Sequence, residues 1–178
     1  ANIMSLGGIA IAVGALVIAI AIWYAIRPRG DREWIPEQAV LPIAVIEGDS
    51  VIVRNVRANS YTTRTAFTPA YADRTYDLST LTSVWYVLTP FSDRWRAPAH
   101  SFVSFGFSDG RYLSISVEAR RQPGEVYDVV KGLFKRFELM YVIGDERDLI
   151  GQRAAFGTDD VFLYPVRATP EGMRAMFV

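Results

Sequence analysis

The chain has 178 residues, with 19 basic and 19 acidic side chains, a single histidine and no cysteine. Balanced charge does not favour a nucleic-acid partner or a strongly charged substrate. The lack of cysteine excludes disulfides, thiolate metal sites and a cysteine nucleophile within these residues, and one histidine excludes a multi-histidine metal site. We therefore predict no metal and no cofactor.

The N-terminal segment is apolar, and no charged side chain precedes Arg27. A bilayer core of about 30 Å needs roughly 20 apolar residues in a helix, and Trp23, Tyr24 and Arg27 are typical of a membrane interface. The alternative, a secretory signal peptide, has an apolar stretch of only about 7–15 residues. We predict a transmembrane helix over residues 1–26, an extended linker over 27–42 and an extramembrane domain over 43–178.

Small residues recur at helical spacing in the predicted transmembrane helix, where they would let a second helix approach closely. The candidate packing positions are Gly8, Ala12, Gly14, Ala15 and Ala19. We predict two kinds of partner, the lipid bilayer and other transmembrane helices of a membrane complex. Arg27, Arg29 and Arg32 follow the helix, and by the positive-inside rule they favour a cytoplasmic domain.

The first part of the domain is rich in β-forming residues. Two runs, 43–46 and 50–56, flank Glu47-Gly48-Asp49 and predict a hairpin. The threonines and tyrosines of residues 60–77, with one proline, fit irregular or edge structure. Leu81–Thr89 predicts a strand that ends at Pro90.

Residues 99–121 predict a second hairpin around Ser108-Asp109-Gly110. A three-residue loop with a left-handed Gly110 pairs Phe107 with Arg111, whereas a two-residue loop would mix apolar and polar faces. The preferred register places His100 opposite Glu118. The apolar face then contains Val103, Phe105, Phe107, Leu113, Ile115 and Val117, and the other face contains His100, Phe102, Ser104, Tyr112, Ser114, Ser116 and Glu118.

The C-terminal part combines helical and strand patterns. Apolar residues at helical spacing predict a helix over 126–137, and 139–143 and 161–166 predict strands. The charged run 144–153 predicts a turn into a short helix. Thr169 followed by Pro170 predicts a helix start. The predicted fold is α+β, a mostly antiparallel β domain with a few helices.

Several segments in matching order resemble the bacterial family typified by the N-terminal periplasmic domain of the lipoprotein N-acyltransferase Lnb. They are WIPEQAVLP, VIVRNVR, AHSFVSFGFSDGRYLSISVEARR, KGLFKRFELMYVIGDERDLIGQR and VFLYPVRATPE. The resemblance implies a papain-like, circularly permuted domain, similar to the lecithin:retinol acyltransferase group. It also implies a single-pass protein of the bacterial inner membrane with its domain in the periplasm, whereas the arginines after the helix favour the cytoplasmic side.

The resemblance further implies an acyl-transfer site in which His100 activates the cysteine of a downstream Asn-Cys-Thr motif. Glu118 or Ser116 would orient the imidazole. This sequence reaches Val178 without that motif, so the implied constellation is incomplete here. A serine near His100 would be a substitute nucleophile, with Ser101, Ser104, Ser114 and Ser116 as the nearby hydroxyls.

Two functional hypotheses follow. In the first, the chain is a non-catalytic accessory subunit that packs against a larger integral membrane complex, respiratory or photosynthetic, through its helix and its domain. In the second, it is part of a membrane-bound thiol acyltransferase or lipid hydrolase acting on lipoprotein or phospholipid acyl groups, with its cysteine beyond Val178. The missing cysteine favours the first hypothesis.

Overall fold

The computed structural model describes residues 6–26, 29–63, 66–92, 95–156 and 160–178. It has the predicted α+β fold, with a mostly antiparallel sheet and few helices. The N-terminal helix, α1 (Leu6–Ala25), has 20 residues and is therefore about 30 Å long. Its stretch Gly7–Ala25 is long and apolar enough to cross a membrane.

The domain after α1 contains ten strands and three short α-helices among the described residues. The strands are β1 (Ile43–Glu47), β2 (Ser50–Arg57), β3 (Ser60–Tyr61), β4 (Phe67–Thr68), β5 (Tyr71–Asp77), β6 (Leu81–Ser92), β7 (Trp95–Phe107), β8 (Tyr112–Arg120), β9 (Glu138–Gly144) and β10 (Phe162–Pro165). The helices are α2 (Val129–Leu133), α3 (Gln152–Phe156) and α4 (Pro170–Phe177), with 3₁₀ turns at Pro36–Gln38 and Leu78–Thr80 and a π-helical turn at Arg147–Gly151.

The main sheet has the strand order β1-β2-β9-β8-β7-β6-β10, and β5 also pairs with β2. The β7–β8 hairpin has the predicted register, since Phe105 pairs with Leu113 and Gly106 with Tyr112. The Phe107 N–H donates to the Arg111 carbonyl, and Gly110 has φ +81°, as a three-residue loop requires.

Alternation along the strands places hydrophobic clusters on both faces of the sheet. The larger cluster includes Phe105, Phe107 and Leu113, and the smaller includes Phe102 and Leu149. The hairpin face with the serines is therefore also covered. Ser104, Ser114 and Ser116 are fully buried.

Two details differ from the sequence-based predictions. Strand β6 continues past Pro90, which the structure tolerates because the pairing with β10 ends at Leu88 and leaves β6 one neighbour there. Residues 71–77 agree with the predicted edge structure, since among the described strands β5 pairs with β2 alone. Val117, expected on the apolar face, is 48% exposed because it lies beyond the part of β8 that contacts the core.

The helix predicted over residues 126–137 is much shorter than expected. Asp128 caps α2, which has only five residues, and Lys135 adopts φ +52°, a conformation that cannot continue a helix. The apolar stripe that suggested a long helix is not buried in the core. Leu133 is 69% exposed and Phe134 63% exposed.

The C-terminal predictions agree more closely with the structure. Strand β9, the charged turn into α3 and strand β10 lie within one or two residues of the predicted positions. Helix α4 begins as expected, because the Thr169 side chain accepts a hydrogen bond from the Gly172 N–H and Pro170 occupies the first helical position.

Candidate functional site

The candidate site lies where β7 and β8 present polar side chains on the face of the smaller cluster. His100 Nε2 lies 2.9 Å from Ser116 Oγ and 3.9 Å from Glu118 Oε1. The three residues named from the sequence are therefore together. Their proximity follows from the hairpin register, because residues whose numbers sum to 218 face each other across β7 and β8.

The Glu118 carboxylate is held by two further side chains. Arg153 Nη2, from α3, donates to Oε1 at 3.1 Å, and Gln38 Nε2 donates to Oε2 at 3.4 Å. Gln38 is itself fixed, because its Oε1 accepts from the Arg121 N–H at 2.7 Å. Segments far apart in sequence thus converge on one carboxylate.

The electrostatic environment keeps the imidazole neutral. Burial lowers the pKa of His100 below 6.5, Arg153 lowers it further, and Glu118 opposes both. Burial alone would raise the pKa of Glu118, but Arg153, Arg57 and His100 outweigh it and hold that pKa below its ordinary value. At neutral pH the site therefore contains a neutral imidazole beside an ionised carboxylate.

The hydrogen bonds also assign a tautomer to His100. An ionised carboxylate only accepts, so the Ser116 hydroxyl donates to Glu118 Oε1 at 3.4 Å and its oxygen accepts from the Nε2–H of His100. Nδ1 is then the basic nitrogen. Within the described ranges no protein group bonds Nδ1, and the side chain remains 19% exposed.

The geometry does not favour a serine nucleophile. Ser116 is fully buried and bonds the nitrogen that carries the proton in the assigned tautomer. The Ser104 hydroxyl donates to Glu146 Oε1 at 2.6 Å, and Ser114 is also buried. The hydroxyls of Ser104 and Ser116 thus orient groups within the domain, and all three buried side chains are closed to an acyl substrate.

A match to a known family bears on this site. The family of the Lnb N-terminal periplasmic domain matches residues 67–178, which include His100, Ser116, Glu118 and Arg153. The chain belongs to this family. Neither the comparison with curated proteins nor that with solved structures gives a match. The suspected family is thus confirmed, and an Lnb N-terminal domain after an apolar helix fits a membrane-anchored protein.

A buried ion pair positions the part of this Lnb N-terminal domain that carries Arg153. Asp148, in the π-helical turn before α3, accepts from Arg57 Nε and Nη2, both at 2.9 Å. Asp148 is fully buried and Arg57 is 7% exposed. The pair connects β2 to the turn and so fixes the start of α3.

The sequence missed Gln38, Arg153 and the Arg57–Asp148 pair as supports of the site. Gln38 lies in the predicted linker, where a 3₁₀ turn replaces part of the expected extended chain. Arg153 and Asp148 lie in the charged run 144–153, which belongs to a segment that carries the family resemblance. The resemblance of this segment to the family is therefore the sequence signal that could have identified Arg153 and Asp148.

The predicted helix-packing positions all lie on α1: Gly8, Ala12, Gly14, Ala15 and Ala19. Their role in packing stays a prediction. Trp23 and Tyr24 form an edge-to-face pair with ring centroids 5.1 Å apart near the C-terminal end of α1. Arg27 lies outside the described residues.

Proposed function

We propose that this domain supplies the general base of a membrane-anchored thiol acyltransferase. The observation that carries the proposal is the state of His100. Its Nε2–H donates to Ser116 Oγ, and the Ser116 hydroxyl donates to Glu118, while the basic Nδ1 is left for a reactant. A neutral, oriented imidazole is what proton abstraction at neutral pH requires.

The proposed nucleophile is a cysteine outside these 178 residues, in the polypeptide that follows Val178, as the family resemblance implies. Nδ1 of His100 would take the thiol proton, and the thiolate would attack the carbonyl carbon of an acyl ester. Collapse of the tetrahedral intermediate would release the alkoxide, which would recover the proton from Nδ1. The acyl group would remain as a thioester for transfer to an acceptor.

The proposed substrates are acyl groups of lipoproteins or phospholipids in the inner membrane. Helix α1 would keep the domain at the membrane surface, where such esters are exposed. We place the domain on the periplasmic side because the family is described as periplasmic. Arg29 and Arg32 after α1 favour the opposite side under the positive-inside rule.

The experiment uses the natural full-length protein in membranes and measures transfer of a labelled acyl chain. Replacing His100 with alanine should lower the rate by about 10²–10⁴, which is the usual contribution of a general base. Asp109→Asn, at the β7–β8 turn, is the matched control and should retain the wild-type rate. Full activity in His100→Ala would refute the assignment of the base.

A second pair of variants separates orientation from folding. Ser116→Ala removes the hydroxyl between His100 and Glu118 and should lower kcat, whereas Ser116→Thr keeps a hydroxyl and should restore part of the rate. If the natural protein has no cysteine after Val178 and no acyl transfer, the thiol mechanism is refuted. The accessory-subunit hypothesis, which stays a prediction, would then take its place.

A further inference from the structure

The domain exposes apolar side chains around α2 that the proposed function does not explain, and we call this group the α2 surface. It consists of Val126, Tyr127, Val129, Val130, Leu133 and Phe134, all of which are exposed. Val126 is 77% exposed and Leu133 is 69% exposed. So many large apolar side chains exposed along one segment of a folded domain indicate a surface that is covered when the protein functions.

The α2 surface is attached to the end of α1. The Trp23 Nε1–H donates to the Leu133 carbonyl at 3.2 Å, and Lys135 Nζ donates to the Trp23 carbonyl at 3.1 Å. The same ammonium lies 3.6 Å from the centroid of the Trp23 ring. Because Trp and Tyr at the end of a spanning helix favour the headgroup layer, these bonds place α2 at that depth.

A polar cavity adjoins the α2 surface, because Phe134 belongs to that surface and also lines the cavity. It has a volume of about 630 Å³, and its lining includes four cationic and two acidic side chains, namely Arg29, Arg32, Lys135, Arg136, Glu125 and Glu138. Glu138 is already engaged, since Oε1 lies 3.5 Å from Arg32 Nε and accepts from the Arg29 N–H at 2.8 Å. The positive excess suits a lipid phosphate group.

We propose that residues 126–136 form a second, monotopic contact of this protein with the bilayer. The α2 surface inserts between lipid chains at the interface, and the cavity receives the phosphates of neighbouring anionic lipids. The occupant is the bilayer because the α2 surface is continuous with the interfacial end of α1. Apolar residues on one side and cations on the other are also the pattern of interfacial membrane segments.

The proposal depends on α1 crossing the bilayer and is independent of the acyl-transfer mechanism. It also gives the domain a defined orientation, because two contacts with the bilayer restrict the rotation of the domain more than a single tether does. The opposite end of the domain is then directed away from the membrane. That end includes the β7–β8 turn and α4, since Phe177 of α4 packs against Phe107, with ring centroids 6.3 Å apart.

The experiment exploits the absence of cysteine from the chain. Single-cysteine variants of the protein, in which any cysteine outside these 178 residues is replaced by serine, carry an environment-sensitive fluorophore at Leu133, at Leu16 in the middle of α1, or at Met176 in α4. Met176 is a suitable control because it is 46% exposed and α4 lies at the far end of β8, whose nine residues span about 30 Å. Each protein is reconstituted into phosphatidylcholine–phosphatidylglycerol vesicles that contain nitroxide-labelled lipids.

The expected result is at least twofold quenching and a blue shift at Leu133→Cys, strong quenching at Leu16→Cys, and neither effect at Met176→Cys. Water-like, unquenched emission at Leu133→Cys would overturn the proposal. A blue shift without quenching would also overturn it, because a protein would then cover the surface. Loss of quenching at Leu16→Cys would show that α1 does not insert, which removes the basis of the proposal.

The role of the cations is tested with Lys131→Glu and Arg136→Glu in the Leu133→Cys background. Both side chains lie in the proposed contact segment, and Arg136 lines the cavity. Quenching at residue 133 should be stronger in vesicles with phosphatidylglycerol than in phosphatidylcholine alone, and the double variant should lose that difference. If Leu133→Cys without the two charge substitutions is quenched equally in both lipid mixtures, the phosphate part of the proposal is overturned.

Discussion

Replacing Asp148 with asparagine should strongly destabilise the domain. The carboxylate accepts from Arg57 Nε and Nη2 and from the Asn59 N–H, each at 2.9 Å, and from Tyr61 Oη at 3.3 Å. Asparagine has nearly the same shape but only one acceptor oxygen and no charge. Its amide NH₂ would face the guanidinium or another donor, and Arg57 would remain buried without its counterion.

The expected loss is about 3–5 kcal/mol, the cost of breaking a buried ion pair by removing one partner. The Arg57 guanidinium stays charged in the variant because an arginine side chain is not deprotonated in proteins, so a buried cation is left without its counterion. Domains are typically stable by about 5–15 kcal/mol, so the variant should fold but with a small margin. At about 2–4 °C for each kcal/mol, the melting temperature should fall by roughly 6–20 °C.

The assay is urea unfolding of the protein in detergent micelles, followed by tryptophan fluorescence. Asp109→Asn is the matched control, because Asp109 Oδ2 also bonds an arginine, Arg111 Nε, at 2.7 Å, but both side chains are about half exposed. That control should keep a urea midpoint close to that of the wild type, because an exposed ion pair contributes little to stability. Equal losses in the two variants would refute the argument from burial.

Two further predictions concern His100 and Gly144. The pKa of His100 lies below 6.5 in the folded protein, so the unfolded state binds more protons at mildly acidic pH. The contribution of His100 to the free energy of unfolding is therefore present above pH 6.5 and is lost as the pH falls through the folded pKa. Urea midpoints between pH 7 and 5 should fall more in wild type than in His100→Gln, and parallel profiles would contradict the shift. A Cβ at Gly144 would meet the Leu149 side chain and lie 3.0 Å from the Arg57 carbonyl oxygen, so Gly144→Ala should cost about 1–3 kcal/mol. In the same urea assay Gly172→Ala, in α4, should instead stabilise the protein by about 0.5–1 kcal/mol, because its Cβ would make ordinary 3.5 Å contacts with Ala168 and Thr169.

The β7–β8 hairpin could be predicted because its information is local. The Ser108-Asp109-Gly110 loop sets the register, and the register sets which side chains face each other. His100, Ser116 and Glu118 therefore came together as expected. The same logic predicted β1–β2 and the start of α4 at Thr169, where adjacent residues decide the conformation.

The rest of the site depends on contacts that no local pattern encodes. Gln38 reaches Glu118 from 80 residues away, and Arg57 reaches Asp148 from 91 residues away. Such pairs form only after the sheet has assembled its strand order. The stripe at residues 126–137 failed as a long-helix signal for a related reason, since periodicity shows that a face is apolar but not what covers it.

The arrangement of charges around His100 explains why a buried carboxylate beside it does not make it a cation. A histidine paired with a carboxylate alone gains a proton more readily, and its pKa rises. Here Arg153 bonds the same Glu118 oxygen at 3.1 Å, so the imidazole faces a nearly neutral ion pair and burial decides its protonation. Glu118 can then orient the Nε2–H through Ser116 without causing Nδ1 to be protonated. The Arg57–Asp148 pair, by fixing the turn before α3, would thus act on the base through the position of Arg153.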